Sequence, residues 1–399
     1  MKSRAIASTI RTTLGIGALL FAGRAALAQG GGLSGYYQNV AIGMAAGPGN
    51  NAGALDAQRA RVMWTPAAGA CALNVAYEHT FWWRDSPGTG AQAGLLSSTR
   101  AGGDWLHLGW TIHQGSRISW QQRFDRLGVA CSRGAITATV GRQAVSWATT
   151  LLLTPADPFV PFDPSDPFRE YRTGVDAARV QWFAGPFTTV DVVVRPATTP
   201  VGRTITAAAR VSTQVARWEL SAWAGAIHNQ PGGAVGVTRT VAGSAIRAES
   251  ELRRDTSGGV VARTAVGVDR RFTVVGRDLY AVLEYQHDPF GAADAAGLIQ
   301  AATSAPAARR EMQVFGRDEA ALDMTWQAHP LVSLELMSLV NLRDGSALFA
   351  PAASISASNN ASLRAGVDVP LGRGKGIAGP ASEYGPVPVT GYAAISIFF

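Results

Sequence analysis

The nine residues Gly391-Tyr-Ala-Ala-Ile-Ser-Ile-Phe-Phe399 at the end of this 399-residue chain are decisive for its fold class. Small or apolar side chains occupy every second position, so that one face of an extended strand carries Gly391, Ala393, Ile395, Ile397 and Phe399. In a soluble sheet, a final strand of this kind would expose a sticky edge. In a closed barrel the same strand pairs with the first strand, and that edge disappears.

The terminal aromatic residue also favours a closed barrel. Phe399, preceded by apolar residues at alternate positions, resembles the signal by which Gram-negative outer-membrane barrels are recognised for insertion. We therefore expect the barrel-insertion machinery to be a partner of the last strand. A short soluble strand can also end in this way by chance, so the rest of the chain has to agree.

The N-terminus has the composition of a secretory signal peptide. In order, it contains a basic region, a short apolar run and an A-x-A cleavage site: Lys2, Arg4 and Arg11, residues 14–21, and Ala26-Leu27-Ala28. The apolar run is shorter than the roughly 20 residues that a spanning helix needs. We therefore expect a signal peptide at 1–28 and an exported chain at 29–399, which is either soluble in the periplasm or a barrel in contact with outer-membrane lipid and lipopolysaccharide.

Composition supports the barrel. The net charge of +7 includes four cations and no acids from residues 1–28, which leaves +3, so the high pI does not argue for nucleic acid as a partner. The chain has 45 Gly, 14 Phe, 11 Trp and 8 Tyr, but only 16% charged residues. That balance is typical of a barrel with a lipid-facing band and aromatic girdles. Every cation from residue 29 onward is Arg, except for Lys375. Arginine suits carboxylate binding, but its excess over lysine equally fits the base composition of the genome.

Runs with a period of two residues, separated by turn residues, extend from residue 32 to residue 399. We count 18 strands, which predicts an all-β transmembrane antiparallel barrel with periplasmic termini and an even strand number. Residues 105–113 could form a nineteenth strand, but they fit better inside the outer loop 85–115. With that choice all of the longer connections fall at one end of the barrel, namely 85–115, 148–174, 288–316 and 370–388.

Polar residues on the opposite face of these strands from the apolar ones should line the lumen. The predicted pore-lining residues are Arg59, Arg61, Arg117, Arg123, Arg179, Asp191, Arg195, Arg247, Glu249, Glu251, Arg253, Arg263 and Asp269. Arginines facing carboxylates would create a transverse field and binding steps for anionic or hydroxyl-rich solutes. The alternative is that these residues only pair with one another and keep the pore wet.

A proline at every third residue from Pro155 to Pro167 marks an unusual connection. This spacing excludes a regular strand or helix and favours a stiff extended run. The run could fold inward and constrict the pore, or it could cap the barrel from outside. Its charged residues, the candidate constriction residues, are Asp157, Asp163, Asp166, Arg169, Glu170 and Arg172.

Two cysteines fall at one rim of the predicted barrel. Cys71 begins the third strand and Cys131 follows the fourth, and these two strands are predicted to be antiparallel neighbours. In an oxidising periplasm such a pair tends to form a disulfide. Two buried free thiols are the alternative.

The segment Gly141-Arg-Gln-Ala-Val-Ser-Trp147, together with the proline-rich run after it, resembles a family of porin-like barrels related to alginate-export-type proteins. Four other stretches fit the same family: residues 33–37, 123–127, 341–346 and 382–386. One departure is Ala148, where a Gly is usual. The resemblance implies an outer-membrane channel in a Gram-negative bacterium, with polysaccharide export as one function among several.

Three function classes follow from these patterns. The first is a channel for small polar or anionic solutes or for an exported polysaccharide. The second is a structural or adhesion barrel with a closed lumen. The third, a barrel hydrolase, has the least support, because the six His are scattered and neither G-x-S-x-G nor H-E-x-x-H occurs. We therefore expect no enzyme activity, catalytic residues, cofactor or metal.

Overall fold

The computed structural model describes residues 32–47, 51–86, 103–159, 171–255, 258–376 and 379–399. Within these ranges, no helix is long and apolar enough to cross a membrane. The expected signal peptide at 1–28 lies outside the described residues. So do four of the candidate constriction residues, Asp163, Asp166, Arg169 and Glu170.

Eighteen antiparallel strands form a closed barrel, as predicted. The strands are β1 Leu33–Met44, β2 Gly53–Trp64, β3 Cys71–Arg84, β4 Ile118–Arg133, β5 Ile136–Gln143, β6 Val175–Phe183, β7 Thr188–Thr199, β8 Gly202–Val215, β9 Trp218–Ile227, β10 Gln230–Val241, β11 Ser244–Arg254, β12 Val260–Val274, β13 Arg277–His287, β14 Asp318–His329, β15 Val332–Asn341, β16 Ala347–Ser358, β17 Ala361–Leu371 and β18 Thr390–Phe398. Each pairs with the next, and β1 closes the barrel on β18 from Tyr36↔Phe398 to Met44↔Thr390.

The two ends of the barrel differ. The start of β1, the end of β18 and a set of short connections lie at one end, called here the turn end; an example is the two-residue turn of Ala216 (φ 48°) and Arg217 (φ 71°). The other end, called the loop end, carries the long connections. The one after β13 contains a short 3-10 helix, Ala295–Gly297, and the helices α1 Leu298–Ala302 and α2 Ala305–Ala308. The connection after β17 contains a two-residue ladder, Lys375–Gly376 with Gly379–Pro380.

The outer face of the strands is largely apolar. Val140, Val235 and Leu252 are 63%, 64% and 56% exposed, respectively, which is far too high for residues of a soluble core. Near the turn end, Trp182 and Phe272 belong to a girdle of exposed aromatic residues. An apolar belt with aromatic residues at its rim is the surface that a transmembrane barrel presents to lipid.

Two of the predicted strand ends need correction. Strand β5 ends at Gln143 rather than at residue 147, because the residues after it leave the wall and pack inside the barrel. Strand β4 continues to Arg133, so Cys131 lies within it rather than after it. Gly109–Gln114 is a strand, but its register pairs it with β4 alone, and it stays within the outer connection. The barrel therefore closes with 18 strands and not 19. A further two-residue strand, Ala67–Ala68, pairs with β3 in the turn before it.

Cys71 and Cys131 lie directly opposite each other in the β3–β4 register, and the structure joins their sulfurs in a disulfide. The bond closes a loop with a sequence separation of 60 residues. In the chain-entropy model, a crosslink of this span restricts the unfolded chain by about 4 kcal/mol.

We expect the unfolded, unreduced protein to show no thiol that reacts with iodoacetamide, and to show two after reduction. Mass spectrometry of the alkylated protein measures both values. Two reactive thiols before reduction would contradict the disulfide.

Candidate functional site

The lumen is filled at the loop end and open at the turn end. Along the inward face of β12, Arg263 and Ala265 are buried, Asp269 is half-buried, and Arg271 and Thr273 are exposed. The inward residues of β8 and β13 follow the same order. On the β8–β13 side of the barrel, water therefore enters from the turn end and meets protein about halfway along the strands.

The protein that fills the lumen includes residues 144–159, called here the constriction segment. Its residues Val145, Trp147, Ala156 and Phe159 are buried in one cluster with inward-facing wall residues such as Trp223. The sequence left open whether the proline-rich connection folds inward or caps the barrel from outside. In the described residues it begins by folding inward.

Two carboxylates of the barrel wall hold this segment through its backbone. Glu249 on β11 accepts hydrogen bonds from the backbone N–H groups of Thr149 (2.6 Å), Thr150 (3.1 Å) and Ala156 (3.1 Å). These donors partly replace the water that the buried carboxylate has lost. Because Glu249 is on the far wall from β5, the bonds stretch the segment across the lumen.

Glu284 on β13 makes a second attachment of the same kind. It accepts hydrogen bonds from three successive backbone N–H groups, those of Leu151 (2.7 Å), Leu152 (2.8 Å) and Leu153 (2.9 Å). Gln313, from the connection after β13, adds a bond from its amide nitrogen to the carbonyl of Leu152. Six backbone donors therefore converge on two carboxylates, which is a defined anchorage and not a loose loop.

Asp157 braces the segment internally. Its carboxylate accepts from the hydroxyl of Ser146 (2.8 Å), from the backbone N–H groups of Trp147 and Phe159, and from the Arg172 guanidinium (3.0 Å). Asp157 and Arg172 are the two candidate constriction residues within the described ranges, and they contact each other. Their role in the structure is to join the two ends of this connection.

Charged side chains surround the segment where the open part of the lumen begins. The indole N–H of Trp147 donates to Asp191 (2.9 Å), and Arg179 binds the same carboxylate. Arg210 lies opposite Asp191 in the β7–β8 register, so two guanidinium groups flank one carboxylate.

A second charged pair lies farther around the wall. Arg247 pairs with Asp269 at 2.8 Å, and the hydroxyl of Tyr280 donates to the other oxygen of that carboxylate. Together with the residues around Asp191, three arginines face two carboxylates beside the constriction segment.

Several predicted pore-lining residues face inward but are not on a wet wall, which is a correction to the sequence-based expectation. Arg61, on β2, forms ion pairs with Glu78 and Asp125 and is 2% exposed. Arg123 joins the same two carboxylates. The ring of Tyr171 lies 4.6 Å from the Arg61 guanidinium, so the end of the connection after β5 covers this cluster.

A second buried cluster lies under the connection after β13. Arg263 pairs with Glu251 (3.0 Å) and Asp288 (2.8 Å), and Arg253 pairs with Glu311. None of the five is more than a tenth exposed. A buried network of this kind is costly to break once one partner is removed. These residues therefore fasten the outer connection to the wall.

The remaining predicted pore-lining residues fall into three groups. Arg59 lies on the inner face of β2, half-buried, and Arg195 on β7 is 1% exposed. Arg117 lies one residue before β4, exposed at the loop end, and is therefore not part of the strand wall. Arg179, Asp191, Arg247, Glu249 and Asp269 surround or bind the constriction segment.

Sequence reasoning missed Arg210 and Glu284, although both lie on inward positions of predicted strands and could have been found by alternation. It also missed Glu78, Asp125, Asp288 and Glu311. Asp288 and Glu311 lie in the connection after β13, where the chain has no two-residue period from which the direction of a side chain could be inferred.

At the loop end, a cavity of about 460 Å³ opens above the second cluster. Its lining combines charged, amide and aromatic groups, among them Arg253, Phe290, Gln300, Arg309 and Arg317. The wet part of the lumen, by contrast, opens at the turn end. The cavity is therefore the candidate outer mouth of any path through the barrel.

His228, in the turn between β9 and β10, makes the second buried cluster sensitive to pH. Burial lowers the pKa of His228 from 6.5 to about 4, although Glu311 beside it acts in the opposite sense. Burial would raise the pKa of Glu311, but Arg253, His228 and Arg263 lower it further than burial raises it. The folded connection after β13 is therefore most stable when His228 is neutral and Glu311 is charged.

We expect acid to loosen residues 288–317. A histidine whose pKa is lowered on burial stabilises the folded form above its ordinary pKa, and this contribution disappears as pH falls from 6.5 towards 4. By pH 5 the loss is about 2 kcal/mol. Hydrogen exchange, corrected for intrinsic rates, should show less protection in this connection at pH 5 than at pH 7. The His228→Gln variant should show a smaller difference, and equal pH dependence in both proteins would contradict the assignment.

Comparison with known proteins supports the fold. No family model matches the sequence, and no curated protein matches it. Among solved structures, OccAB3 of Acinetobacter baumannii has a TM-score of 0.55 at 9% identity, covering 92% of this chain and 98% of that one. A BenF-like porin from Pseudomonas fluorescens Pf-5 has a TM-score of 0.54 at 10% identity, covering 93% and 99%. OpdK of Pseudomonas aeruginosa, solved with vanillate, has a TM-score of 0.53 at 9% identity, covering 92% and 98%. At these identities the likeness shows a porin-like barrel fold.

Proposed function

We propose that this chain is an outer-membrane channel of a Gram-negative bacterium that passes small polar or anionic solutes. The observation that carries the proposal is the anchored constriction segment inside a barrel whose turn-end half is open to water. A segment fixed to the far wall by two carboxylates narrows a lumen to a defined size. The apolar belt favours a membrane, where outer-membrane lipid and lipopolysaccharide would surround the barrel.

The preference for anions rests on the charges beside the constriction. There, Arg179 binds Asp191 and Arg247 binds Asp269, while Arg210 lies opposite Asp191 in the β7–β8 register. Since mobile ions pass close to these groups, their net positive charge would favour anions. The similar structures add support at the level of class, since one is described as a porin and another holds vanillate, a carboxylate.

We expect the purified protein in planar bilayers to conduct in discrete steps and to prefer chloride over potassium mildly. The measurement is the reversal potential under a KCl gradient, at low and at high ionic strength, because screening weakens the preference. Arg210→Gln should reduce the preference. Arg239→Gln is the matched control, because Arg239 lies over the Trp218 ring on the outer face. Cation preference in the unmodified protein would contradict the proposal.

A barrel with a closed lumen is the second candidate, and the two buried ion clusters inside the barrel favour it. The same bilayer measurement separates the two, because a closed barrel gives no conductance. Polysaccharide export, the function that the family resemblance adds, would need the constriction segment to leave the lumen. Liposome swelling with a series of sugars and carboxylates of increasing size would show whether chain-like solutes pass.

A further inference from the structure

A buried carboxyl group at the loop end has one oxygen without a hydrogen-bond partner. Glu319, the second residue of β14, is 0% exposed and lies on the same inward face as Ala321. Its Oε2 accepts from the hydroxyl of Tyr384 (3.1 Å), whereas its Oε1 has no donor among the described residues. An ionised carboxylate that is buried in this way is costly.

Glu383, in the connection after β17, lies within hydrogen-bonding reach of Glu319. The oxygens of Glu383 already have donors, because the backbone N–H of Phe315 (2.6 Å) binds one and the side-chain amide of Asn341 (2.7 Å) binds the other. Oε1 of Glu319 and Oε2 of Glu383 both lie beside Gly316, where a Cβ would collide with them. Two ionised carboxylates in this arrangement would repel each other.

The other titratable groups beside this pair do not neutralise it. Asp344 adds a third carboxylate, which accepts from the backbone N–H of Glu383 (2.7 Å). Burial, together with Glu383 and Glu319, raises the pKa of Tyr384 well above its ordinary value. The hydroxyl of Tyr384 therefore stays a neutral donor.

No arginine or histidine forms an ion pair with Glu319 or Glu383 in the part of the chain that the structure describes. Arg343 binds the carboxylate of the residue before Glu319, and Arg317 donates to a backbone carbonyl. The residues opposite Glu319 on the flanking strands, Gln286 and Asn341, are uncharged. A proton is the group that fits this environment, because it converts a carboxylate into a donor and needs no further space.

We propose that Glu319 carries a proton at neutral pH and donates a hydrogen bond from Oε1 to the carboxylate of Glu383. The bond supplies the partner that Oε1 lacks and removes one of the two facing charges. Glu319, Glu383 and Tyr384, called here the carboxyl latch, fasten the connection after β17 to β14. The proposal concerns how the loop end is held closed, which goes beyond the passage of solutes.

The carboxyl latch lies beside the constriction segment. Tyr384 is buried in one cluster with Ala321 and with Leu153 of that segment. The backbone N–H of Tyr384 donates to the hydroxyl of Ser346 (3.2 Å), so the latch also holds the connection after β15. In an alkaline medium the pair loses its proton, and repulsion between the two carboxylates releases Tyr384 and weakens its packing on Leu153. The latch is therefore a pH-dependent closure of the loop end.

Hydrogen exchange of the full chain in detergent, from pH 7 to pH 9, tests the latch. Opening releases one proton, because both glutamates are ionised once the connection is hydrated. After correction for intrinsic rates, the opening constant measured at the backbone N–H groups of Phe315 and Glu383 should rise about tenfold per pH unit. Glu319→Gln should keep the protection but lose the slope, because its amide donates in place of the acid. Glu335→Gln, a change at another lumen carboxylate, should keep the slope.

Equal slopes in the unmodified protein and in Glu319→Gln would overturn the proposal, as would the absence of a slope in both. Loss of protection at pH 7 after treatment with EDTA would also overturn it, because a bound cation would then hold the pair. Each variant should resist SDS unless heated, which shows a folded barrel.

Infrared spectroscopy in D₂O is a second measurement, and it reads the proton directly. At pH 7.5 the unmodified protein should show the C=O stretching band of un-ionised carboxylic acid, and Glu319→Gln should show a weaker band. The absence of this band from the unmodified protein would refute the proposal, whether or not the variant folds and whether or not the barrel conducts.

Discussion

Replacing both anchors, Glu249→Ala and Glu284→Ala, is expected to raise single-channel conductance by roughly twofold or more, because conductance depends on the narrowest cross-section of the pore. The two substitutions remove the acceptors of six backbone N–H groups. Those donors would then be left without partners in the lumen, at about 1–3 kcal/mol for each group that stays buried. The segment should therefore leave the far wall and hydrate.

Single-channel recording in planar bilayers measures this effect, with Glu335→Ala as the control. Glu335 faces the lumen and pairs with Arg364, but it makes no hydrogen bond with the constriction segment in the described residues. Its loss should alter ion selectivity while leaving conductance nearly unchanged. Unchanged conductance in the double variant, with the barrel still folded, would mean that the constriction lies elsewhere.

The second large effect concerns stability. Asp125→Ala should cost about 3–5 kcal/mol, because it leaves buried guanidinium groups without their shared carboxylate. Asp125 is 1% exposed and pairs with Arg61, Arg123 and Arg126. It also accepts from the backbone N–H of Gly174 (3.1 Å), so its removal would release the end of the connection after β5.

Guanidinium unfolding of the refolded barrel, followed by tryptophan fluorescence and by heat-dependent migration in SDS gels, would measure the loss. Asp278→Ala is the matched control, because Asp278 is an exposed wall residue at the turn end. A change within about 0.5 kcal/mol is expected there. A similarly small change for Asp125→Ala would show that solvent reaches the cluster around Arg61.

The disulfide illustrates how far a period of two residues can be read. Because the long connections had to lie at one end of the barrel and the short ones at the other, β3 and β4 were predicted to be antiparallel neighbours. That strand order alone predicted that Cys71 and Cys131 lie side by side. The same pattern correctly kept Gly109–Gln114 out of the barrel count. It failed at Trp147, which continues the alternation of β5 but turns into the lumen. There the burial of a large aromatic ring against Trp223 outweighs continued strand pairing.

The sequence by itself determined the class of the protein. Backbone hydrogen bonding requires a transmembrane sheet to close, and alternation shows which side chains face in. Only the tertiary structure decided which inward charges meet water. Alternation gives the direction of Glu249 or Arg263, but the residues that cover them come from connections more than twenty residues away in the chain. Because such contacts depend on how those connections fold, Glu249 became an anchor and Arg263 part of a buried network, while Arg210 remained beside the open lumen.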